Sequence, residues 1–323
     1  MKYLITGGAG FIGSNFIHYM FEHYPDCEIV NLDKLTYAGN LENVKEFEGN
    51  TRYKFVQGDI ADAKLMDQLV SDAGFIVNFA AETHVDRSIV GPAQFIQTNV
   101  VGMQVLLEAA AKYKKRFHHI STDEVFGDLP LGTGEKFTER SAYFPSSPYS
   151  ASKAAADHLV HAYSRTYGLD ATITNCSNNY GPYQNPEKLI PKTIAYALLG
   201  RKIPVYAQGR NVRDWIHVKD HCKAIDFVLQ KGRTGETYLV GGDCEKANLE
   251  VVQKILEILG KEESLIELVP DRPGHDLRYA IDSSKIEREL AFAREYDFDK
   301  GLKDTVEWYK ANQAWWEKLL PKE

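Results

Sequence analysis

The sequence predicts an α/β protein: a doubly wound parallel sheet joined to a second, smaller lobe of mixed α/β structure. Three observations carry this expectation. Short apolar runs alternate with amphipathic, helix-like stretches from residue 2 to about 175, and a glycine-rich turn links the first run to the first helix. After residue 176 the rhythm loosens, and Pro182, Pro186, Pro191 and Pro204 mark loops. At 323 residues the chain exceeds what a single core usually organises. A division into 1–175 and 176–323 is therefore expected, with the second part interleaved with the first rather than strung behind it.

Strands are expected at Tyr3–Thr6, Ile29–Leu32, Phe55–Gln57, Phe75–Ala80, Phe117–Ser121 and Ala171–Cys176. Helices over Phe11–Phe21 and Ala61–Val70 follow the first and third of them. The helix Pro92–Lys115 opens on a proline, whose missing N–H costs nothing in a first turn. It closes on Lys112, Lys114, Lys115 and Arg116, which suit the negative end of its dipole. A second long helix, Pro148–Tyr167, is ended by Gly168. Leu249–Leu259 and Lys300–Lys318 complete the helices, and no repeat or low-complexity tract interrupts the chain.

Apolar residues make up 44% of the chain and charged residues 26%, the balance of a soluble globular protein. A net charge of −7 opposes a broad footprint for nucleic acid or anionic membrane, but leaves room for a local basic pocket around a phosphorylated small molecule. Cys27, Cys176, Cys222 and Cys244 are far apart and form no C-x-x-C pair, which reads as reduced thiols in a cytoplasmic protein. The chain starts on the strand-like Lys2-Tyr3-Leu4-Ile5 with no leader pattern, and no apolar run approaches the ~18 residues of a membrane span.

Thr6-Gly7-Gly8-Ala9-Gly10-Phe11-Ile12-Gly13 lies between the first strand and the first helix. Gly7 permits the tight turn, Gly10 lets backbone approach a pyrophosphate, and Gly13 lets the helix lie close on the sheet. Asp33 ends the second strand 20 residues after Gly13, where a carboxylate holds adenosine ribose hydroxyls and repels a 2′-phosphate. NAD is favoured over NADP. Asp59, in Gly58-Asp59-Ile60, suits the adenine amino group, or a helix N-cap before Ala61–Val70; the two are compatible. Ala80-Ala81-Glu82-Thr83-His84 ends the fourth strand on two small residues, which leave room for a dinucleotide across the sheet edge.

Tyr149 and Lys153 stand at i and i+4, on one helix face. A nearby ammonium favours phenolate, so the pair is expected to bring the tyrosine pKa down towards neutrality and take a proton from a hydroxyl as hydride leaves its carbon. The apolar run Phe117 to Ile120 delivers Ser121, Thr122, Asp123 and Glu124 to a strand end, where open α/β sheets place ligands. Two adjacent carboxylates there serve as a general acid and a general base, provided their surroundings separate their pKa values.

Together, Thr6–Gly13, Asp33, Ala80–His84 and the Tyr149-x-x-x-Lys153 pair resemble the extended short-chain dehydrogenase/reductase family. Within it, Thr122-Asp123-Glu124, Asn175 to Gln184 and Asp271-Arg272-Pro273-Gly274-His275-Asp276 resemble the dehydratase branch that acts on dTDP-glucose. The likeness runs from Tyr3 to about Trp308. Phe126 departs from it, standing where the family usually has tyrosine.

The resemblance implies a Rossmann-type fold for residues 1–175, a nucleotide-sugar lobe for 176–323, and NAD held as a recycled catalyst. It implies that Tyr149 takes the C4 hydroxyl proton while Thr122 bonds the same oxygen, that Glu124 removes the C5 proton, and that Asp123 protonates the departing C6 hydroxyl. Phe11, Ile12, Lys34, Leu35, Thr36, Ile60, Ala80, Ala81, Glu82, Thr83, Thr98 and Asn179 are implied neighbours of the cofactor. His84 and Asn178 are implied to reach the sugar, Pro204, Val205 and Tyr206 the thymine, and Asn248 and His275 the nucleotide end, with Leu189, Asp271, Pro273 and Gly274 beside them. Lys188, Arg213 and Arg272 are candidates for the diphosphate, because a dianion in a closed site needs several fixed donors. A homodimer through a four-helix interface of the two long helices is also implied; they carry an apolar stripe that includes Phe95, Val100, Met103, Leu106 and Leu107, part of which burial against the sheet explains.

The nearest alternatives are a 4-epimerase or decarboxylase of the same family, and a non-catalytic NAD-sensing protein. The former needs no acid/base couple for removing water, and the latter commonly loses the tyrosine or lysine. His217 and His221, also at i and i+4, lack a third ligand, so no metal is expected. Trp215, Trp308, Trp315 and Trp316 read as core or interface residues.

Overall fold

Seven parallel strands form the central sheet of the computed structural model, which describes residues 1–271 and 274–320. The first six in sequence are β1 (Lys2–Thr6), β2 (Glu28–Asp33), β3 (Tyr53–Gln57), β4 (Phe75–Asn78), β5 (Arg116–Thr122) and β6 (Ala171–Cys176). Three come from the second half before the seventh: β7 (Asn178–Tyr180), β8 (Ile203–Tyr206) and β9 (Val212–His217), followed by β10 (Thr237–Val240). The order across the sheet is β10-β6-β5-β4-β1-β2-β3, with every pairing parallel. The winding reverses between β1 and β4, which opens a crevice at their C-terminal ends. This is the expected Rossmann-type architecture.

Burial on both faces explains the apolar strands. On one face Met66, Val70, Leu106, Leu107 and Val160 pack from three helices, Ala63–Asp72, Met103–Lys112 and Pro148–Tyr167. On the other, Phe16, Ile17 and Met20 of Phe11–His23 meet Cys222 and Ile225 of Val218–Lys231. Each such side chain contributes about 1.5–3 kcal/mol by leaving water. The chain beyond residue 176 thus returns to the large sheet through β10 and the helix before it.

The smaller lobe holds a three-stranded sheet, β9 flanked by β7 and by β11 (Glu245–Ala247), and a parallel pair of β8 with β12 (Ile266–Val269). Helices Leu189–Leu199, Asn248–Leu259 and Phe298–Ala311 close a core of Ile194, Val251, Ile255, Leu302, Val306, Trp315 and Trp316.

Several expectations need correction. The helix from Pro92 is wound as a π-helix over Ile96–Gly102 and stops at Lys112, because Lys114 takes a left-handed φ of 51°. The fourth strand ends at Asn78 rather than Ala80. Asp62, not Asp59, caps the next helix, accepting from the Lys64 and Leu65 N–H groups; Asp59 accepts from Ala61 N one turn earlier. Pro191 lies in the first turn of a helix, where no N–H is missed, and Pro204 in the short strand β8. Lys300–Lys318 breaks at Asn312, which leaves helical geometry. Of the apolar stripe, Phe95, Met103, Leu106 and Leu107 are buried within the chain, the part that burial against the sheet was expected to explain. The apolar residues exposed near them are Ile89, Val90, Ile96 and Val101.

Among the described residues no helix is long and apolar enough to cross a membrane.

Candidate active site

The crevice at the C-terminal ends of β1 and β4 continues into one elongated cavity between the two lobes. Its first wall is the glycine turn. Gly7 has φ +73°, and a Cβ there falls 2.6 Å from Ala80 N; a Cβ on Gly13 falls 2.4 Å from Gly7 O. Only hydrogen fits at either place, and this closeness lets the helix N-terminus face the cavity. Beside the turn, the buried Asp33 carboxylate accepts from Ala9 N at 3.0 Å and Leu35 N at 2.8 Å. Leu35 takes φ 57° to deliver its N–H. Lys34 Nζ pairs with Asp59 Oδ2 at 2.7 Å, which closes this end.

Phe11, Ile12, Thr36, Ile60, Ala80, Ala81, Glu82, Thr83, Thr98 and Asn179 line the same cavity, with Gly10, Lys34 and Asp59. The loop after β4 is pinned by Asn99, whose side chain bonds Glu82 N at 2.9 Å, Glu82 O at 3.0 Å and Ser152 Oγ at 2.8 Å. Asn99 ties the nucleotide end to the helix that carries Tyr149. Sequence reading passed over it, since a buried asparagine in a helix has no local signal. The space, the glycine turn and the fixed carboxylate of Asp33 fit a dinucleotide such as NAD, running from Asp33 to Lys153.

At the other end stand Thr122, Asp123, Glu124, Tyr149 and Lys153. Thr122 ends β5, and its Oγ1 accepts from Glu124 N at 3.3 Å, which starts the one-turn helix Asp123–Phe126. Pro148 and the Ser147–Ser150 capping box start the long helix, which puts Tyr149 in its first turn and Lys153 one turn on. Lys153 Nζ donates to Ile120 O at 2.7 Å and lies 3.1 Å from His119 Nε2.

Electrostatics divide these groups. Asp123 is 2% exposed, and burial, then Glu124 and Asp214, hold its carboxyl well above the usual range. One of its oxygens has no hydrogen-bond partner. Glu124 is only partly buried. Burial brings Lys153 down to about 8, with Asp157 opposing. Tyr149 departs from expectation: burial, then Glu124, pushes its phenol well up rather than towards neutrality. In the protein alone Tyr149 therefore keeps its proton.

Asn178 and Lys188 complete the wall from the smaller lobe, beside Gln184 and Glu187, which sequence reading did not single out. The other described substrate candidates are not among the residues lining this cavity. His84 Nε2 is 3.6 Å from Glu187 Oε2, and Leu189 opens its helix. Arg213 is 6% exposed, donates to the carbonyls of Val212, Asp276 and Leu277, and lies 4.3 Å above the Tyr279 ring. Along β8 the side chains alternate: Val205 is buried, whereas Pro204 is partly exposed and Tyr206 is exposed. The latter two present their side chains outward. Tyr206 stands edge-on to His275, which pairs with Asp271 at 2.6 Å; Gly274 precedes it at φ 65°. Asn248 begins its helix with an unpartnered Oδ1. Arg272 and Pro273 fall outside the described residues.

His217 Nδ1 accepts from Lys219 N, and His221 Nδ1 meets Asn179 Oδ1. Among the described residues no group of three or more His, Cys, Asp or Glu is placed to hold a metal ion.

Comparison with known proteins places this geometry. A family profile described as GDP-mannose 4,6 dehydratase matches residues 4–305. A dTDP-glucose 4,6-dehydratase from Xanthomonas campestris pv. campestris is 53% identical, with 98% of this chain and 95% of that protein covered. The crystal structure of DesIV, a dTDP-glucose 4,6-dehydratase from Streptomyces venezuelae with NAD and TYD bound, superposes with a TM-score of 0.96 at 49% identity, covering 99% of this chain and all of that one. A UDP-glucose 4-epimerase from Thermotoga maritima aligns with a TM-score of 0.89 at 27% identity, over 97% of this chain and 100% of the other.

Proposed function

The chain belongs to the GDP-mannose 4,6 dehydratase family, and from that membership we infer that it is an NAD-dependent hydro-lyase converting dTDP-glucose to dTDP-4-keto-6-deoxy-glucose and water. The observation that carries this over an epimerase is the pair at the end of β5: a buried Asp123, whose carboxyl is held well above the usual range by burial and Glu124, beside a more open Glu124. Inverting a carbinol needs only a base and a hydride acceptor; losing water also needs an acid.

Bound NAD supplies a hydride acceptor and donor, and the positive charge of its nicotinamide lowers the cost of a phenolate at Tyr149. Tyr149 takes the C4 hydroxyl proton, and Thr122 donates to the same oxygen. The ketone makes the C5 proton acidic. Glu124, the more solvated carboxylate, removes that proton, while Asp123 protonates the C6 hydroxyl as water leaves. Glu124 then returns the proton to C5 as the hydride taken from C4 is delivered to C6, and solvent takes the proton gained by Tyr149 and restores the one lost by Asp123. Adjacency separates the two roles, since a charge on Glu124 opposes one on Asp123.

Gly7, Gly10, Gly13, Asp33 and the cavity residues after β4 hold the cofactor in this reading, and Asn178 and His84 serve the sugar. Lys188 and Arg213 neutralise the diphosphate, with Pro204, Tyr206, Asn248 and His275 on the nucleoside side. Residues 1–175 make the cofactor lobe, and 176–323 the substrate lobe, lending β10 and its helix to the first. Exposed Ile89, Val90, Ile96 and Val101 suit a homodimer built on the two long helices. A cytoplasmic setting suits four free cysteines, three of them buried.

Incubating the protein with dTDP-glucose tests this reading by mass spectrometry. A product lighter by one water is expected; a product of unchanged mass with inverted C4 would instead mark an epimerase.

A further inference from the structure

Behind the cavity wall a buried polar chain ends on Lys153, the partner of Tyr149, and its other members have no part in the reaction scheme above. Lys153 is 3% exposed, His119 1% and Asp157 0%. His119 Nε2 lies 3.1 Å from Lys153 Nζ and 3.5 Å from Asp157 Oδ1, so the ring stands between the two charged groups. As placed, Asn78 turns its Nδ2 to His119 Nδ1 at 3.1 Å and accepts from Thr6 Oγ1 on its Oδ1 at 2.6 Å; for Nε2 to accept, the ring proton sits on Nδ1 and the amide turns over, its oxygen to Nδ1 and its Nδ2 to Thr6 Oγ1. The chain thus runs under the C-terminal ends of β1, β4 and β5. Asp157 Oδ2 receives three donors: Ser121 Oγ at 2.9 Å, Asn175 Nδ2 at 3.0 Å and Tyr143 OH at 3.0 Å. Its Oδ1 has no hydrogen-bond partner.

Such an arrangement is costly unless it does something. A fully buried ammonium and carboxylate each lose several kcal/mol of hydration, and an apolar pair of similar size often packs at no loss of stability. We propose that His119 and Asp157 are positioning residues for Lys153: the imidazole accepts from the ammonium and fixes its direction, and the carboxylate supplies the buried counter-charge that keeps it cationic. An ammonium has three N–H groups. Ile120 O takes one and His119 Nε2 another, which leaves the third for the cavity, whose wall Lys153 forms with Tyr149.

Burial keeps the His119 ring neutral, with Lys153 and His118 adding to the effect, so the ring can accept at Nε2 without competing for the charge. The other titratable groups facing the unit are Cys176 from β6, Tyr143 from the preceding loop, and Tyr149 and His161 from the same helix. Cys176 is itself pushed up to about 12, first by burial, and Tyr143 is pushed up as well. Neither is charged at neutral pH. Burial raises the Asp157 carboxyl too, opposed first by Lys153 and then by the Ser121, Asn175 and Tyr143 donors, so the ammonium and the carboxylate sustain each other's charge while His119 Nε2 lies against both.

This inference rests on Tyr149 and Lys153 as the oxidising pair, and the test separates the two. Formation of reduced cofactor is followed in a single turnover of the NAD-loaded enzyme with dTDP-glucose, and kcat is followed against pH. His119→Leu and Asp157→Asn should slow oxidation about tenfold or more, the effect of one lost charge-assisted hydrogen bond, with KM unchanged. The pH at which kcat rises should move up, because a Lys153 that sheds its proton more readily helps the Tyr149 phenolate less. His119→Gln, which can still accept near Nε2, should restore most of the rate. If His119→Leu does not fold, His119→Gln and the near-isosteric Asp157→Asn decide. An unmoved pH profile at parental rate in Asp157→Asn, or His119→Gln as slow as His119→Leu, would overturn the proposal. Lys153→Met is the control: if it loses oxidation while the other variants keep it, only the positioning role falls, and if it too oxidises at the parental rate, the reading of the pair falls with it.

Discussion

Asp123 and Glu124 are adjacent in sequence yet differently solvated: Asp123 is 2% exposed with one carboxylate oxygen unpartnered, whereas Glu124 is partly open to the cavity. On the proposed reading, the difference suits Asp123 to the acid role and Glu124 to the base role. Glu124→Gln and Asp123→Asn should bind NAD and dTDP-glucose normally and still form reduced cofactor, while elimination slows about 10²–10⁴-fold. Rapid-mixing absorbance, followed by product analysis, separates the two steps. Dehydration at the parental rate in Glu124→Gln rejects its role.

Tyr149→Phe removes the group that takes the first proton in the proposed scheme. Reduced cofactor should then form about 10²–10⁴-fold more slowly, with the dissociation constant for dTDP-glucose nearly unchanged. A variant that oxidises normally but fails later would move Tyr149 out of the first step.

Arg213 reaches its place by bonding three backbone carbonyls and lying on Tyr279, so its guanidinium is fixed before any ligand arrives. Arg213→Ala should weaken dTDP binding by about 10- to 100-fold while leaving NAD in place. Calorimetric titration with dTDP reads the effect, and equal affinity in variant and parent rejects it.

Gly13→Ala drives a methyl to 2.4 Å from Gly7 O, which is backbone and cannot step aside. Loss of bound NAD from the purified protein is expected, with about 1–3 kcal/mol of destabilisation. Retained NAD at parental stoichiometry would show that the turn tolerates a side chain.

Burial holds His118, His217 and His221 near pKa 3, well below the ~6.5 of an unfolded chain. Between these values the unfolded chain binds more protons than the native one, so acidification favours unfolding. Stability contributed by these rings is complete above pH ~6.5 and is lost progressively as pH falls towards 3. Replacing His118, held between Thr172 and Thr174 hydroxyls, with Gln should flatten that fall in a thermal-unfolding series. An unchanged slope would show that the ring does not titrate between the two states.

The local parts of the site were legible in the sequence because their signals are short-range. Gly13 and Asp33 stand at spacings set by one strand-turn-helix unit, and Tyr149 and Lys153 share one helical turn. Groups assembled from distant strands left no such trace. Asn99, Tyr279 and the His119–Asp157 contact depend on how β5, the long helix and the smaller lobe pack, and a single buried polar residue looks like any other in sequence. The seventh strand was missed for a related reason: Thr237–Val240 is four residues long and follows the loosening at residue 176, so the expected sheet stopped at Cys176. The π-wound turn over Ile96–Gly102 and the proline inside Leu189–Leu199 are likewise tertiary outcomes. Tyr149 shows the limit from the other side. Its lysine neighbour predicted a lowered pKa, but complete burial and the charge of Glu124 outweigh it.

The central claim is that one cofactor molecule oxidises C4 and reduces C6 of the same sugar while Asp123 and Glu124 remove water between the two events. Turning over dTDP-glucose that carries deuterium at C4 tests it most directly, by nuclear magnetic resonance of the product. The account predicts a 4-keto-6-deoxy sugar with the deuterium in its C6 methyl group. Deuterium retained at C4 of an inverted sugar, or washed out into solvent, would contradict it.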